Sequence, residues 1–396
     1  MDESRPRVRR VFISVAEDSA DVHAASLVRV AAALLPDCRF YGLTGPRLRA
    51  LGVETVFDMT AHAAMLAGAA KVIGRAWRAL RAVQCCWSRS RPDAVVLLDS
   101  PELNLRLAAR ARKLGVPVIY YIAPQTWASR EGRVRAMARD VDALACILPF
   151  EEAYFRARGV NARFVGHPLF EALARERADG ARVSGLRSGD GPLLALLPGS
   201  RKHVIDTILP KQLGVLDRLR AFGTPARAAV SAIDADRGAH IRGLFKRLGS
   251  EVPIVESDNA SLLTAADLVL VASGTATLHV AHYRKPMIVM YDVGSVLGPL
   301  YRRWGHWVVR APHLSLVNTL ARRRIVPEFM PSVGDLDIVA RTARGLLADR
   351  PWRERVVASL DEVCRPLEGG AASRAVCALL CSALDRRLLT PARIDR

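Results

Sequence analysis

The sequence predicts an α/β protein made of two Rossmann-like, doubly wound parallel sheets, followed by helices at its C-terminal end. Short β-rich runs alternate with helical stretches along the chain. The runs Ala94–Leu98, Leu193–Leu197 and Leu268–Ala272 are apolar at every position, as expected of parallel strands covered on both faces. Around residues 178–191 the composition turns to Gly, Ser, Asp and Arg without periodicity, and the alternation then restarts. Repeated βα units of this kind imply right-handed crossovers within each sheet.

In the first half, Val11–Ala16 is a β-rich run that passes through the acidic-polar turn Glu17–Asp21 into a helix ending near Leu35. Arg39–Leu43 reads as a second strand, Gly45-Pro46 opens a short helix, and a long helical segment covers about Ala61 to Ser88. Ala94–Leu98 stops at Asp99-Ser100-Pro101, and Leu103, Leu107 and Leu114 continue at helical spacing. Val116–Ile122 ends in Ala123-Pro124-Gln125-Thr126-Trp127, and Ala143–Leu148 and Arg163–Gly166 complete this half. The second half has strands near Leu193–Leu197, Arg227–Ser231, Val252–Val255, Leu268–Ala272 and Met287–Tyr291. Residues 346–396 contain no strand-like run and read as two or three helices. The expected domains are therefore 1–177, a linker at 178–191, 192–345, and C-terminal helices at 346–396. Two Rossmann-like halves joined in this way bring the C-terminal ends of their sheets to a cleft. That is the GT-B architecture of many nucleotide-sugar glycosyltransferases, although epimerases and binding proteins also pair such domains.

Hydrophobic residues make up 51% of the chain and charged residues 24%, which excludes disordered and fibrous classes. The formal net charge of +19 invites a polyanion, either nucleic acid or an anionic membrane surface. Only six of the 58 basic residues are Lys, so part of the Arg excess is compositional. No helix-turn-helix or aromatic-basic signature supports nucleic acid. No apolar run approaches the ~18 residues of a spanning helix, so the expectation is a cytoplasmic protein with peripheral membrane contact. The seven cysteines lack metal-ligand spacing and read as reduced, buried thiols. No metal and no cofactor is expected.

Three strand ends carry chemistry. Leu193–Lys202 (LLALLPGSRK) joins a strand to a helix through Gly199-Ser200-Arg201. Unpaired N–H groups, the helix dipole and a planar guanidinium suit a diphosphate there. An ordinary connection bearing a surface Arg has the same appearance. Ala272–His279 repeats the pattern, with Ser273-Gly274-Thr275 at the turn. Asp99 stands at the tip of a central strand, where a carboxylate can take a proton from an attacking hydroxyl or, alternatively, cap the next helix. Gln125 and Trp127 mark a further strand end, as functional groups or as loop packing. His167 is compatible with a cleft position or with a buried structural role.

Lys71–Arg89 is amphipathic. Val72, Ile73, Trp77, Leu80, Val83 and Trp87 share one face, and Lys71, Arg75, Arg78, Arg81 and Arg89 lie opposite. Met65 and Leu66 extend the apolar part upstream. A core-docked helix gives this pattern, and so does a helix meeting a membrane interface.

Taken together, the chain resembles the lipid-A-disaccharide synthase family. The resemblance runs from about Val11 to the C-terminal helices. It rests on LLDSPELN (Leu97–Asn104), YYIAPQTWASR (Tyr120–Arg130), LPFE (Leu148–Glu151), FVGHPL (Phe164–Leu169), LLPGSRK (Leu196–Lys202), ASGTATL (Ala272–Leu278) and SLVN (Ser315–Asn318). It implies an inverting GT-B enzyme of lipid A synthesis that joins UDP-2,3-diacylglucosamine to 2,3-diacylglucosamine 1-phosphate. Asp99 would be the general base. Gly199, Ser200 and Arg201 would hold the diphosphate, and Ser273, Gly274, Thr275, His279 and Asn318, with Arg322 and Arg323 nearby, would lie around the nucleotide sugar. Glu17, Ser19, Asp21, Gln125 and Trp127 would lie on the acceptor side. Met65, Leu66, Val72, Ile73 and Trp77 would touch the membrane. The chain departs from the family where Ala16 and Ala20 replace glycines and His279 replaces a Glu. A catalytically degenerate member that binds lipid or nucleotide is the alternative, and a homodimer is compatible with the C-terminal helices.

Overall fold

The computed structural model describes residues 8–59, 69–127, 132–292 and 313–385. It forms two compact units. One runs to Glu171 and takes back the chain from Gly369 onward, and the other is Ala172–Glu368.

The first unit holds seven strands: β1 (Arg9–Ser14), β2 (Cys38–Thr44), β3 (Glu54–Asp58), β4 (Ala94–Leu98), β5 (Val118–Tyr121), β6 (Ala143–Cys146) and β7 (Ala162–Phe164). All pair in parallel, in the order β3-β2-β1-β4-β5-β6-β7. The helices between them are α1 (Asp18–Leu34), α2 (Pro46–Ala50), α3 (Ala69–Arg89), α4 (Pro101–Lys113), α5 (Arg133–Asp140) and α6 (Pro149–Arg156), and α7 (Pro168–Leu173) follows β7. Central β4 is buried at every residue because its side chains alternate between two helical layers. Val95 and Leu97 pack with Val83 and Trp87 of α3 and Leu103 and Leu107 of α4. Ala94, Val96 and Leu98 pack with Ala24 and Leu27 of α1 on the other side. Each fully buried Val or Leu contributes about 1.5–3 kcal/mol.

The second unit repeats this plan. Helix α8 (Gly180–Arg187) precedes β8 (Leu193–Leu197), α9 (Lys202–Ala221), β9 (Arg227–Ala232), α10 (Ala235–Leu248), β10 (Ile254–Glu256), α11 (Asn259–Ala265), β11 (Leu268–Ala272), α12 (Ala276–His282) and β12 (Met287–Met290). After these come α13 (Leu316–Ala321), β13 (Glu328–Phe329), α14 (Leu336–Ala348) and α15 (Arg350–Cys364). The order β10-β9-β8-β11-β12-β13 is that of the first sheet without its last strand, again fully parallel.

Several expectations are corrected. The stretch expected as a linker contains α8, which belongs to the second unit. None of its residues is buried, so no apolar period betrays it. It forms because Asp179 accepts from the Ala181 and Arg182 N–H groups, while Arg182 meets Asp258 at 2.8 Å and Arg187 donates to the Thr264 carbonyl at 3.0 Å. The C-terminal helices do not form one block. Helices α14 and α15 belong to the second unit, and the last helix, α16 (Ala372–Leu384), belongs to the first. There Val376, Cys377 and Leu380 join the core with Leu27 and Val96. Strands β3 and β13 were not anticipated, since each lies at a sheet edge and is incompletely buried. Among the cysteines, Cys38, Cys146, Cys364 and Cys377 are buried as expected, but Cys85 is exposed.

Candidate active site

Each sheet reverses its strand order between two central neighbours, β1 and β4 in the first and β8 and β11 in the second. In such sheets ligands bind beyond the strand C-termini at that point.

At the first reversal, Asp99 and Ser100 follow β4 with φ of 49° and 44°. Non-glycine residues seldom adopt this left-handed backbone, which persists only where the surroundings enforce it. Buried Asn104, in α4, does so. Its amide donates to the carbonyls of Leu98 at 2.8 Å and Asp99 at 2.7 Å, and its Oδ1 accepts from Ser14 Oγ at 2.7 Å. The Tyr120 hydroxyl donates to the Asp99 carbonyl at 2.5 Å, and the Asp99 N–H donates to the Tyr121 carbonyl at 3.1 Å. The turn is thus tied to β1, α4 and β5 at once. Burial pushes the Asp99 carboxyl above its ordinary range; the Ser100 N–H opposes this and the charge of Glu102 adds to it. A carboxylate of raised basicity at a ligand crevice is suited to proton abstraction.

The other residues expected on the acceptor side divide into two groups. Glu17 and Ser19 are exposed at the start of α1, and Gln125 is exposed in the loop after β5. Trp127 is half-buried and donates its indole N–H to Glu151 at 3.2 Å. Asp21, by contrast, is a correction. It is fully buried, and its carboxylate accepts the N–H groups of Gly45 (3.2 Å), Arg47 (2.8 Å) and Leu48 (3.2 Å), capping α2. Neither Ala16 nor Ala20 has positive φ, so alanine fits there without left-handed strain. His167 is buried, which pushes its imidazole down to about 3 with help from His23, and its Nδ1 accepts from the Leu169 N–H. It is therefore a buried imidazole that accepts a backbone hydrogen bond within its own turn.

At the second reversal, β8 leads through Gly199, with φ of 105°, to exposed Ser200 and Arg201. The backbone conformation calls for glycine; a Cβ there would be strained and would also press tightly on Val204 Cγ1 at 3.1 Å. Helix α9 begins here without a side-chain cap, leaving its first N–H groups for a ligand. The turn is braced from α10, where Arg237 donates to the Ser200 carbonyl at 3.2 Å and Asp236 meets Lys202 at 3.0 Å. Beside it, past β11, come half-buried Ser273, then Gly274 (φ of 137°) and Thr275, both exposed. His279, one turn into α12, lies with its Nε2 3.3 Å from Glu176, which also receives the Tyr283 hydroxyl at 3.3 Å. The contact with His279 is the largest influence holding the Glu176 carboxyl below its ordinary range.

Asn318 is a second correction. It is fully buried, its Oδ1 accepts from the Ile325 and Val326 N–H groups, and its Nδ2 donates to the Val326 carbonyl and to Glu328. Its hydrogen-bonding capacity is consumed by the turn it pins. Arg323 is likewise engaged with Ser359 and Glu362.

Met65 and Leu66 lie outside the described residues, as do the side chains of Val72 and Ile73. The C-terminal half of the apolar α3 face is core: Ala79, Val83 and Trp87 are buried, and Trp87 meets Phe12 edge-on at 5.0 Å. Trp77 departs from this face at 53% exposure, with the Arg106 guanidinium 5.7 Å from its ring centre.

Sequence reasoning missed Asn104, Tyr120, Glu151 and Glu176 as contributors. Asn104 did carry a signal, a polar residue directly beside Leu103 and near Leu107 on a buried helix face. Glu176 carried none, because its partner is 103 positions away in the chain (His279) and nothing local marks it.

The family model for lipid-A-disaccharide synthetase matches residues 11–375. The lipid-A-disaccharide synthase of Myxococcus xanthus is 36% identical over 391 residues, covering 97% of this chain and 99% of that protein. That of Anaeromyxobacter sp. (strain K) is 38% identical over 370 residues, covering 92% and 95%. Among solved structures, a UDP co-structure of S. aureus MnaA aligns with a TM-score of 0.62 at 13% identity, covering 95% of this chain and 97% of that one. Acinetobacter baumannii MurG aligns with a TM-score of 0.56 at 13% identity, covering 94% and 99%. The structural likenesses establish the fold, two Rossmann-like units of the kind found in GT-B glycosyltransferases. With near-complete coverage by its relatives, the chain belongs to the lipid-A-disaccharide synthase family, the hexosyltransferases of lipid A synthesis.

Proposed function

We propose that this enzyme joins UDP-2,3-diacylglucosamine to 2,3-diacylglucosamine 1-phosphate with inversion, and that Asp99 is its general base. The acceptor 6-hydroxyl gives its proton to the Asp99 carboxylate while its oxygen bonds to C1 of the donor sugar. The bond from C1 to the diphosphate oxygen breaks, and UDP leaves. The clamped left-handed turn at Asp99-Ser100 is the observation that carries this reading, since strain of that kind is maintained where a side chain must be aimed.

The leaving diphosphate would rest on the Gly199–Arg201 turn, where the α9 dipole and the Arg201 guanidinium stabilise developing charge. Ser273–Thr275 would meet the nucleotide at the start of α12. His279 stands where the family carries a carboxylate, and Glu176 at 3.3 Å supplies a negative charge beside it. The His279–Glu176 pair would then serve the ribose hydroxyls. Both substrates carry acyl chains, so the enzyme would work at the cytoplasmic face of a membrane, with exposed Trp77 and the arginines near it at the interface.

The test is UDP release by purified protein supplied with both diacylated sugars. Turnover in wild type that is abolished in Asp99→Ala is the expected result. No turnover in wild type, or full turnover in the variant, would overturn the reading.

A further inference from the structure

We propose that Glu151 is a positioning residue for sugar transfer: it fixes the Trp127 indole and, through it, the loop 123–127 that grows from the strand beside Asp99.

Glu151 is one of the most deeply buried charged residues in the described structure, at 1% exposure, and both of its carboxylate oxygens are committed. Oε2 accepts the Leu148 N–H at 3.1 Å, and Oε1 accepts the Trp127 indole N–H at 3.2 Å. The first is a cap for α6. The second reaches across to a different strand end, and α6 does not need it. An indole N–H can only donate, so Trp127 depends on an acceptor placed there. Phe150, the neighbour of Glu151, holds the same indole edge-on at 5.2 Å between ring centres. The first turn of α6 therefore grips Trp127 by its N–H and by its ring.

Burying this carboxyl is costly. Burial pushes it up to about 7, opposed by the N–H groups of Leu148, Trp127 and Ile147. A glutamine would suit the cap and the indole poorly, because its amide offers one acceptor oxygen for two N–H donors. A residue kept at such a cost is explained by what its second bond holds.

What it holds is joined to Asp99. The loop starts at Ile122, a β-branched residue with φ of 68°, a genuine backbone outlier whose N–H is tied to the Ala145 carbonyl at 3.1 Å. Just before it, Tyr120 and Tyr121 make the two hydrogen bonds to the Asp99 backbone already described. Three consecutive residues of one strand end thus hold the Asp99 turn and launch the loop. Between the anchors, Gln125 is left exposed while Thr126 is buried. Releasing Trp127 frees the far end of the loop and loosens the strand end on which Asp99 rests. This inference rests on sugar transfer by the chain and is independent of Asp99 being the base.

The test compares Glu151→Gln, Trp127→Phe and the double variant with wild type, measuring kcat and the donor KM by UDP release together with the near-UV indole signal. Trp127→Phe keeps an aromatic ring against Phe150 while it deletes the N–H donor and some of the indole's bulk; the double variant separates the two, because Glu151→Gln leaves that bulk in place. Each single variant is expected to lower kcat by about 5- to 50-fold with donor KM within twofold. The double variant is expected to fall no further than the worse single, because both remove one interaction. The near-UV signal contributed by Trp127, defined by its loss in Trp127→Phe, is expected to change in Glu151→Gln. Wild-type kcat in Trp127→Phe, or a double variant whose loss is the product of the singles, would overturn the proposal. If Glu151→Gln fails to fold, Trp127→Phe decides alone. UDP release by the wild-type chain is the reference, and its absence would strike the transfer reading rather than this one.

Discussion

In the first unit the chain leaves β4 through two non-glycine residues in left-handed conformation, clamped by a buried Asn and two tyrosines. In the second it leaves β8 through Gly199, for which the same hand of backbone is ordinary, and the residues beyond are exposed and basic. Strand order and position are shared, yet the devices differ, as the two proposed tasks would require. A proton acceptor needs one side chain aimed and partly desolvated, which warrants strain and a rigid surround. A diphosphate needs several backbone N–H groups within reach, which calls for glycine and a helix start.

Breaking the first device at its functional atom should have the largest effect. Asp99→Asn should lower kcat by about 10²- to 10⁴-fold, in the range of general-base losses, with donor KM nearly unchanged in steady-state assays. Removing the guanidinium from the second should act on binding instead. Arg201→Ala should weaken UDP by about 10- to 100-fold in calorimetric titration, the scale of one or two charge-assisted hydrogen bonds. Asn104→Ala sharpens the contrast further. It leaves Ser14 Oγ and two carbonyls short of partners, so thermal unfolding should register about 1–3 kcal/mol of destabilisation, and kcat should fall more than KM rises.

A pH experiment separates the two units by stability. The Glu151 carboxyl is raised from 4.5 to about 7 by burial. The unfolded chain releases this proton at lower pH than the folded chain does. The stability that Glu151 contributes is therefore complete below about pH 4.5 and is lost as pH rises through 7, by ~3 kcal/mol at most. Urea midpoints of wild type should fall relative to Glu151→Gln across that window. Smallest of all, Trp77→Asp should leave kcat in detergent unchanged and reduce co-sedimentation with anionic liposomes several-fold.

Much of this was legible in the sequence. Strands such as Leu193–Leu197 and Leu268–Ala272 were read residue for residue, because burial on both faces writes an uninterrupted apolar run. The placement of Asp99 and of the Gly199 turn at strand ends was legible because each follows an unbroken apolar run, and strand ends at an order reversal are where ligand groups belong in parallel sheets. Asp21 and Asn318 were misread for a common reason. Each is a polar residue in a family motif whose hydrogen bonds run to backbone N–H groups 24 to 27 residues away or 7 to 8 residues away, and polarity alone does not tell an inward bond from an outward one. Helix α8 was missed because arginine–carboxylate and arginine–carbonyl bonds hold it without any apolar stripe. The apolar face of α3 serves two surroundings that one wheel does not separate: it docks Val83 and Trp87 in the core and leaves Trp77 outside.

The last helix has a consequence for how the protein is made. Ser373 bonds to Glu171 and Ser26 across 202 and 347 positions of chain, and Val376, Cys377 and Leu380 fill the core beside Leu27 and Val96. During synthesis the second unit, a continuous stretch, has all its residues before the first unit does. The earliest residues to leave the ribosome wait longest for their full set of partners. A message cut short before residue 369 would therefore spoil the opening domain, whose own strands had long since been translated, and leave the intervening one whole.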